Sequence, residues 1–548
     1  MADSLNINRG HSDTGASPDL EADVLVLGGG PAGCWAAVSA AAQGARVLLA
    51  DKGFCGTSGA TAPSGTNVWS VPPDPQARAA AKASRFELGG RLAEPAWMDR
   101  VLEQTWTLVQ HLQAWGYPFP LGPDGRTSYV SLQGAEYMRL MRRRVKESGG
   151  RILDHSPALE LLVDEAGAVC GAAGVKHPGG EPWRARAGAV VMATGGCAFQ
   201  SHALGCDVLT GDGLLMGVEV GAELSGMEFS NAYGLGPAFS SVTKSLFYRW
   251  ATFYRADGTV IEGAGSSRGR WLIARTLQTE PVLAQLDQAD AQVQSWMRAT
   301  QKNFFLPFDR MGIDPFRQRF PVSLRLEGTV RGTGGLDVVD DRCSTRVPGL
   351  FAAGDAATRE RICGGFTGGG SHNAAWALSS GFWAGAGAAE HARRHRRPIA
   401  GPVSGAASVA LRRAPGRGHA GWRPEEVVRA VQDEVFPYAK NWTRQAEVLT
   451  PSLQRLDAVW ARLREGPPAD GSSLLKAREA AAMLATARWM YRSALARRES
   501  RGMHYRVDHV GSDPAQRQRL ISSGLDEVRL RTQAVSDGWE LASLEATA

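Results

Sequence analysis

No stretch of this 548-residue chain approaches the roughly 18 apolar residues that a membrane span requires. Met1–Glu21 is polar and rich in Asp, Ser and Gly, with neither the basic start nor the apolar core of a secretory leader. No twin-arginine pair is present in it. The expectation is a disordered N-terminus over residues 1–21 and a soluble, cytoplasmic protein. The seven cysteines form no CxxC pair and show no metal-ligand spacing with histidine. That pattern predicts reduced thiols, no metal, and no iron–sulfur cluster within this chain. Excess charge of one sign is also scarce. The 61 Lys and Arg against 55 Asp and Glu leave a net charge of +6. So small a margin gives no reason to expect nucleic acid. Internal repeats are absent.

What is present is an ordinary globular make-up, 43% hydrophobic and 21% charged. The length exceeds what one core supports, so two or three domains are expected. Val24 to Leu27 reads as a buried strand of parallel type, followed at once by Gly28-Gly29-Gly30. An Ala-rich helix is predicted from about Pro31 to Gln43, and a second strand over Arg46 to Asp51. Gly28-x-Gly30-x-x-Gly33 thus closes a strand and opens a helix, and Asp51 ends the next strand, followed by Lys52. Glycine there permits a tight turn, close approach of backbone to a pyrophosphate, and helix–strand contact. Free N–H groups at the start of the helix that opens with Pro31-Ala32-Gly33 hold the phosphate charge, and Asp51 accepts from a ribose. The motif does not itself choose between FAD and NAD.

Further strands are predicted at Ala189 to Ala193, ending in Thr194-Gly195-Gly196, and at Gly349 to Ala353, ending in Gly354-Asp355. Ala193-Thr194-Gly195-Gly196, Thr210-Gly211-Asp212-Gly213 and Val347 to Asp355 (VPGLFAAGD) resemble FAD-binding segments of one superfamily. Arg498 to Tyr505 (RESRGMHY) resembles the ESRGxH segment of its C-terminal region. That superfamily holds the succinate dehydrogenase and fumarate reductase flavoproteins, L-aspartate oxidase and adenylylsulfate reductase alpha subunits. The resemblance spans nearly the whole chain. It implies an α/β fold with a Rossmann-type FAD-binding domain (22–235 and 326–390) and an inserted α+β capping, or substrate, domain (236–325). A basic linker (391–424) and a C-terminal helical domain (425–548) follow.

Local motifs are closest to the adenylylsulfate reductase branch. Thr57-Ser58-Gly59-Ala60 resembles its segment facing the flavin, and Ser371-His372-Asn373 its Ser-His run at a helix start. No histidine stands near Gly59, so the resemblance implies FAD held non-covalently. The residues that grip dicarboxylates in the family do not match. Tyr233, Val330 and Phe366 stand at those places, which makes succinate, fumarate and aspartate poor candidates. Glu228 stands where the adenylylsulfate branch has a substrate-gripping arginine, and would repel a phosphosulfate.

The catalytic candidates are His372, as a proton donor, and Arg249 and Arg331, as clamps for a carboxylate, sulfonate or phosphate. The reading that follows is two-electron redox chemistry on a small anion, with electrons exchanged with a separate ferredoxin-type iron–sulfur protein. A partner-independent oxidase resembling L-aspartate oxidase and a non-catalytic electron-relay subunit stay open. His391 to Pro424 carries eight arginines and no acidic residue, a charge concentration expected to help dock that partner.

Overall fold

The strand Leu20–Leu27 is the middle of the fold, pairing in parallel with Val47–Ala50 on one side and Pro182–Met192 on the other. Val24 to Leu27 is fully buried. A strand with no face to water has no reason to alternate polar with apolar residues, and this run does not. The computed structural model describes residues 19–120, 127–243, 247–265, 269–367, 370–395, 401–411, 421–466, 468–469 and 473–535.

From one edge, the central sheet runs Ser404–Gly405, Ala158–Val163, Val169–Val175, Pro182–Met192, Leu20–Leu27, Val47–Ala50 and Arg151–Leu153. Pro182–Met192 is long enough to serve two partners on one edge. Its first half pairs with Val169–Val175 and its last residues pair in parallel with Leu350–Ala352. Leu27, Ala50, Met192 and Ala352 therefore end side by side, as their register shows. The carboxyl ends of parallel strands are where doubly wound sheets place their ligands. The helices Pro31–Ala42 and Gly370–Arg394 pack along each other beside these strands.

The inserted part is a four-stranded antiparallel sheet in the order Ala232–Pro237, Phe320–Glu327, Val282–Gln285, Thr252–Tyr254. Buried Phe247, Phe304, Phe305, Phe308 and Phe320 pack beneath it in edge-to-face and tilted contacts. In the C-terminal part, Leu474–Ala496 is buried on nearly every side, which explains why its sequence shows no polar stripe. The helices Pro424–Val435 and Ala446–Glu465 flank it. The first of these helices stops at Val435, because Pro437 has no N–H to continue it.

Three boundaries differ from expectation. The first strand begins at Leu20, not near Ala22, and Asp19 is held by Arg186 at 2.7 Å. Residues 1–18 lie outside the described residues. The chain does not end in helices alone. Gln518–Ser523 and Arg529–Ala534 form an antiparallel pair that adds to Leu224–Ser225.

The expected linker is structured at both described ends. The helix Gly370–Arg394 runs into it, and Ser404–Gly405 joins the central sheet. At about 1.5 Å rise per residue, Arg393 lies roughly 33 Å along that helix from Ser371. Arg396, Arg397, Arg412, Arg413 and Arg417 lie outside the described residues. Among the described residues, no helix is long and apolar enough to cross a membrane.

Candidate active site

The strand ends open into a cavity of about 1900 Å³ that continues to the inserted sheet. A single small-molecule site occupies roughly 300–1,000 Å³, so there is room for a dinucleotide and a second ligand. At one end lies the glycine turn. Gly28 has φ +107°, and a Cβ on it would meet the Ala193 carbonyl oxygen at 2.2 Å. Gly30 is the opposite case: a Cβ there meets nothing within 4 Å, and the residue lines the cavity. The turn is thus packed against protein at Gly28 and open towards a ligand at Gly30.

Asp51 lines the same end. Its Oδ2 accepts from the Gly29 N–H at 2.5 Å, and its Oδ1 accepts from the Gly53 N–H and the Ser58 hydroxyl. The carboxylate thereby fixes the phosphate turn as well as facing a ribose position. Lys52 donates to Asp212, at 2.8 Å, and to Thr210, at 2.9 Å. It also pairs at 2.5 Å with Glu479. Burial alone would push the Lys52 ammonium down, but the two carboxylates outweigh it and hold its pKa above the usual lysine value. Glu479 was not foreseen. It lies on Leu474–Ala496, more than 400 residues along the chain, and nothing local marks it.

Gly28, Gly30, Pro31, Ala32, Asp51, Lys52, Ser58, Gly59 and Ala60 all line the cavity. So do Thr194, Gly195, Asp212, Gly354, Asp355, Ser371 and Asn373. Five expected contacts do not, His372 among them. Thr57 is exposed with its hydroxyl turned to the Phe54 carbonyl. Gly33 and Gly196 are packed against backbone, and Thr210 is buried behind Asp212. Thr194 Oγ1 and Asn373 Oδ1 are buried in the wall without a protein partner. Buried polar atoms are nearly always paired, so these two mark places for a ligand.

The substrate end is set by the inserted sheet. Arg249 lies at an exposed position on its rim. Arg331 lines the cavity, but its Nε sits 3.1 Å from Glu327 Oε2, and Thr243 donates to the other Glu327 oxygen at 2.6 Å. Arg331 is therefore largely neutralised. Arg270, which sequence reasoning passed over among the many arginines of the insertion, is the more available cation. It lines the cavity and has no ion pair or hydrogen bond on its guanidinium among the described residues. Desolvation and the nearby Arg331 both lower its pKa, against the pull of Glu327.

His372 is placed differently from expectation. Its neighbours Ser371 and Asn373 face the cavity, while its own ring is fully buried against Trp69, with centroids 4.6 Å apart. Burial, aided by the Arg85 charge, pushes its pKa down to about 3. A neutral ring behind the wall is not a proton donor to a substrate. His372→Asn is therefore expected to leave the pH profile of flavin reoxidation unchanged in shape above about pH 5. An ionisation near neutrality that disappears in the variant would restore a chemical role. Glu228 also lies elsewhere. It is buried away from the cavity wall and paired at 2.7 Å with Arg497, so it does not repel an anion there.

Residues 23–232 match the family described as FAD binding domain, and residues 438–535 match that described as fumarate reductase flavoprotein C-term. The chain belongs to the succinate dehydrogenase/fumarate reductase flavoprotein superfamily. It is an FAD-dependent oxidoreductase. A fumarate reductase flavoprotein subunit of Mycobacterium tuberculosis is 27% identical over 490 residues, covering 75% of this chain and 79% of its own. A solved variant of E. coli quinol fumarate reductase superposes with a TM-score of 0.78 at 22% identity, covering 95% and 97%. Adenylylsulfate reductase of Archaeoglobus fulgidus gives 0.74 at 19%, covering 95% and 96%. At such identities the structural likeness shows the fold. The flavoprotein's turn at Gly28 to Gly30 and the unpartnered Thr194 and Asn373 fit an FAD laid along the strand ends.

Proposed function

We propose that this flavoprotein carries out two-electron redox chemistry on a small organic anion held between the FAD and the inserted sheet. The observation that carries this reading is Arg270, a guanidinium without counter-ion among the described residues, in the wall of the cavity that the nucleotide turn also lines. When bound, FAD supplies the hydride exchange. The chain supplies the rest. Arg270 binds and orients the anion and stabilises charge that develops on it, and the inserted sheet keeps water away. FAD is held non-covalently by the turn, Asp51 and the strand-end residues. Acid denaturation is expected to release intact FAD, and flavin that stays with the precipitate would refute this.

Electrons are exchanged with a separate iron–sulfur protein; the related fumarate reductase flavoprotein of Mycobacterium tuberculosis is itself named as a subunit, so it works with a partner chain. The partner docks elsewhere than on the described start of the 391–424 segment. That start lies roughly 33 Å along a helix from the cavity, and Arg394 there is paired with Glu390. An anaerobic test separates the three readings. The reduced, FAD-loaded protein is mixed with a panel of organic anions, and then with air. Oxidation by an anion, slowed by about 100-fold or more in Arg270→Met, supports the proposal. Rapid oxidation by air alone points to an oxidase. Inertness to both points to an electron-relay subunit.

A further inference from the structure

We propose that the anion held at Arg270 is a monocarboxylate with a flat apolar body, of the arylacrylate type, and not a dicarboxylate. This rests on the cavity being the substrate site, as argued above. The first observation is charge. The groups that act on Arg270 are Arg331 and Glu327, and these two lie 3.1 Å apart as an ion pair. The trio carries one net positive charge, which one carboxylate neutralises. Of the other cations lining the cavity, Lys52 and Arg501 are engaged elsewhere. Arg501 is spent on Glu499, at 2.6 Å and 2.8 Å. Arg249 is at the exposed rim, and Arg85, which has no ion pair among the described residues, is not among the charges that act on Arg270.

The second observation is the wall. Trp271, next to Arg270, meets Tyr505 edge-on with centroids 5.9 Å apart, and both line the cavity. Tyr233, Val330, Phe366 and Trp442 line it as well. Tyr233 presents its ring, because its hydroxyl is turned away to the Val435 carbonyl at 3.0 Å, and it packs edge-on with Trp442 at 5.3 Å. A second carboxylate against such a wall would lose its water without gaining a partner. An aromatic ring gains both burial and edge contacts. The third observation is the donors. Trp271 Nε1 and Tyr248 Oη line this space, buried and without partners among the described residues, and supply the hydrogen bonds that a single carboxylate lacks beyond Arg270.

Cinnamate and fumarate form a matched pair for the test, the same acrylate carrying a phenyl ring or a second carboxylate. Binding to the FAD-loaded protein is measured by calorimetry and by perturbation of the flavin spectrum. Cinnamate is expected to bind at least about tenfold more tightly. Arg270→Met should weaken it by about 100-fold. Trp271→Ala should remove most of the preference, and Trp271→Phe should restore it, with FAD content and melting temperature as folding controls. Fumarate binding as tightly as cinnamate overturns this inference and leaves the proposed function standing. If neither anion binds, or if Arg270→Met changes nothing, both fall.

Discussion

Gly33→Ala is expected to come off purification without FAD and with about 3 kcal/mol or more of stability lost. Gly33 sits in the first turn of Pro31–Ala42, where a Cβ would lie 1.8 Å from the Gly28 carbonyl oxygen and 3.3 Å from Val26 Cγ1. The obstacle at Gly28 is backbone, held by the bond from its N–H to the Ala50 carbonyl at 2.8 Å. Neither side can yield without moving the helix off the strand end, and the phosphate turn goes with it. Gly30→Ala provides the contrast. Its added methyl meets no protein atom within 4 Å, so the fold should persist and the loss should appear only in FAD affinity. The measurement is the flavin-to-protein ratio alongside thermal melting, with and without added FAD. A Gly33→Ala protein that holds one FAD and melts like wild type would show that the close helix–strand contact is misjudged.

Arg497→Met should cost about 3–5 kcal/mol, because it leaves a buried charge without its partner. Arg497 and Glu228 are 1% and 0% exposed and lie 2.7 Å apart. The same guanidinium binds Glu499 at 2.8 Å and the carbonyls of Gln516 and Gln518. It thus ties the C-terminal segment to the Met227–Phe229 turn beside the FAD-binding part. Glu499 keeps Arg501 in the variant, so the stranded groups are Glu228 and Glu360. Burial and the Glu228 charge already raise Glu360 to about 7. A carboxyl raised on folding contributes its full stability below its unfolded pKa and loses it as pH rises through the folded value. Removing Arg497 raises both carboxyls further. The deficit of the variant should therefore grow with rising pH and shrink towards about pH 5. Adding Glu228→Gln to Arg497→Met should recover part of the loss. Equal melting of all three proteins across pH would mean that the network is not coupled.

The nucleotide end of the site was legible because its chemistry is local. Gly28, Gly30, Gly33 and Asp51 belong to one strand–turn–helix–strand unit, and the constraints on them act over a few residues of backbone. The strand ends at Thr194 and Gly354 were legible for the same reason. The substrate end was not. Arg270 looks like any other arginine of the insertion until its neighbours show that Arg331 has a counter-ion in Glu327 and Arg270 does not. His372 was misplaced because a helix start exposes some of its first residues and buries others. Ser371 and Asn373 face the cavity while the ring between them packs on Trp69.

The amino-acid sequence by itself determined that this chain builds a Rossmann-type dinucleotide-binding unit, and where that unit's turns and strand ends lie. Short-range sterics and apolar patterning carry that information. Only the tertiary structure decided which charges are free and which are spent. Glu228, Arg331, Lys52 and Arg501 all find partners in the fold, and Arg270 finds none among the described residues. Pairing of buried charges depends on distances between segments that lie up to hundreds of residues apart, and no local pattern encodes them.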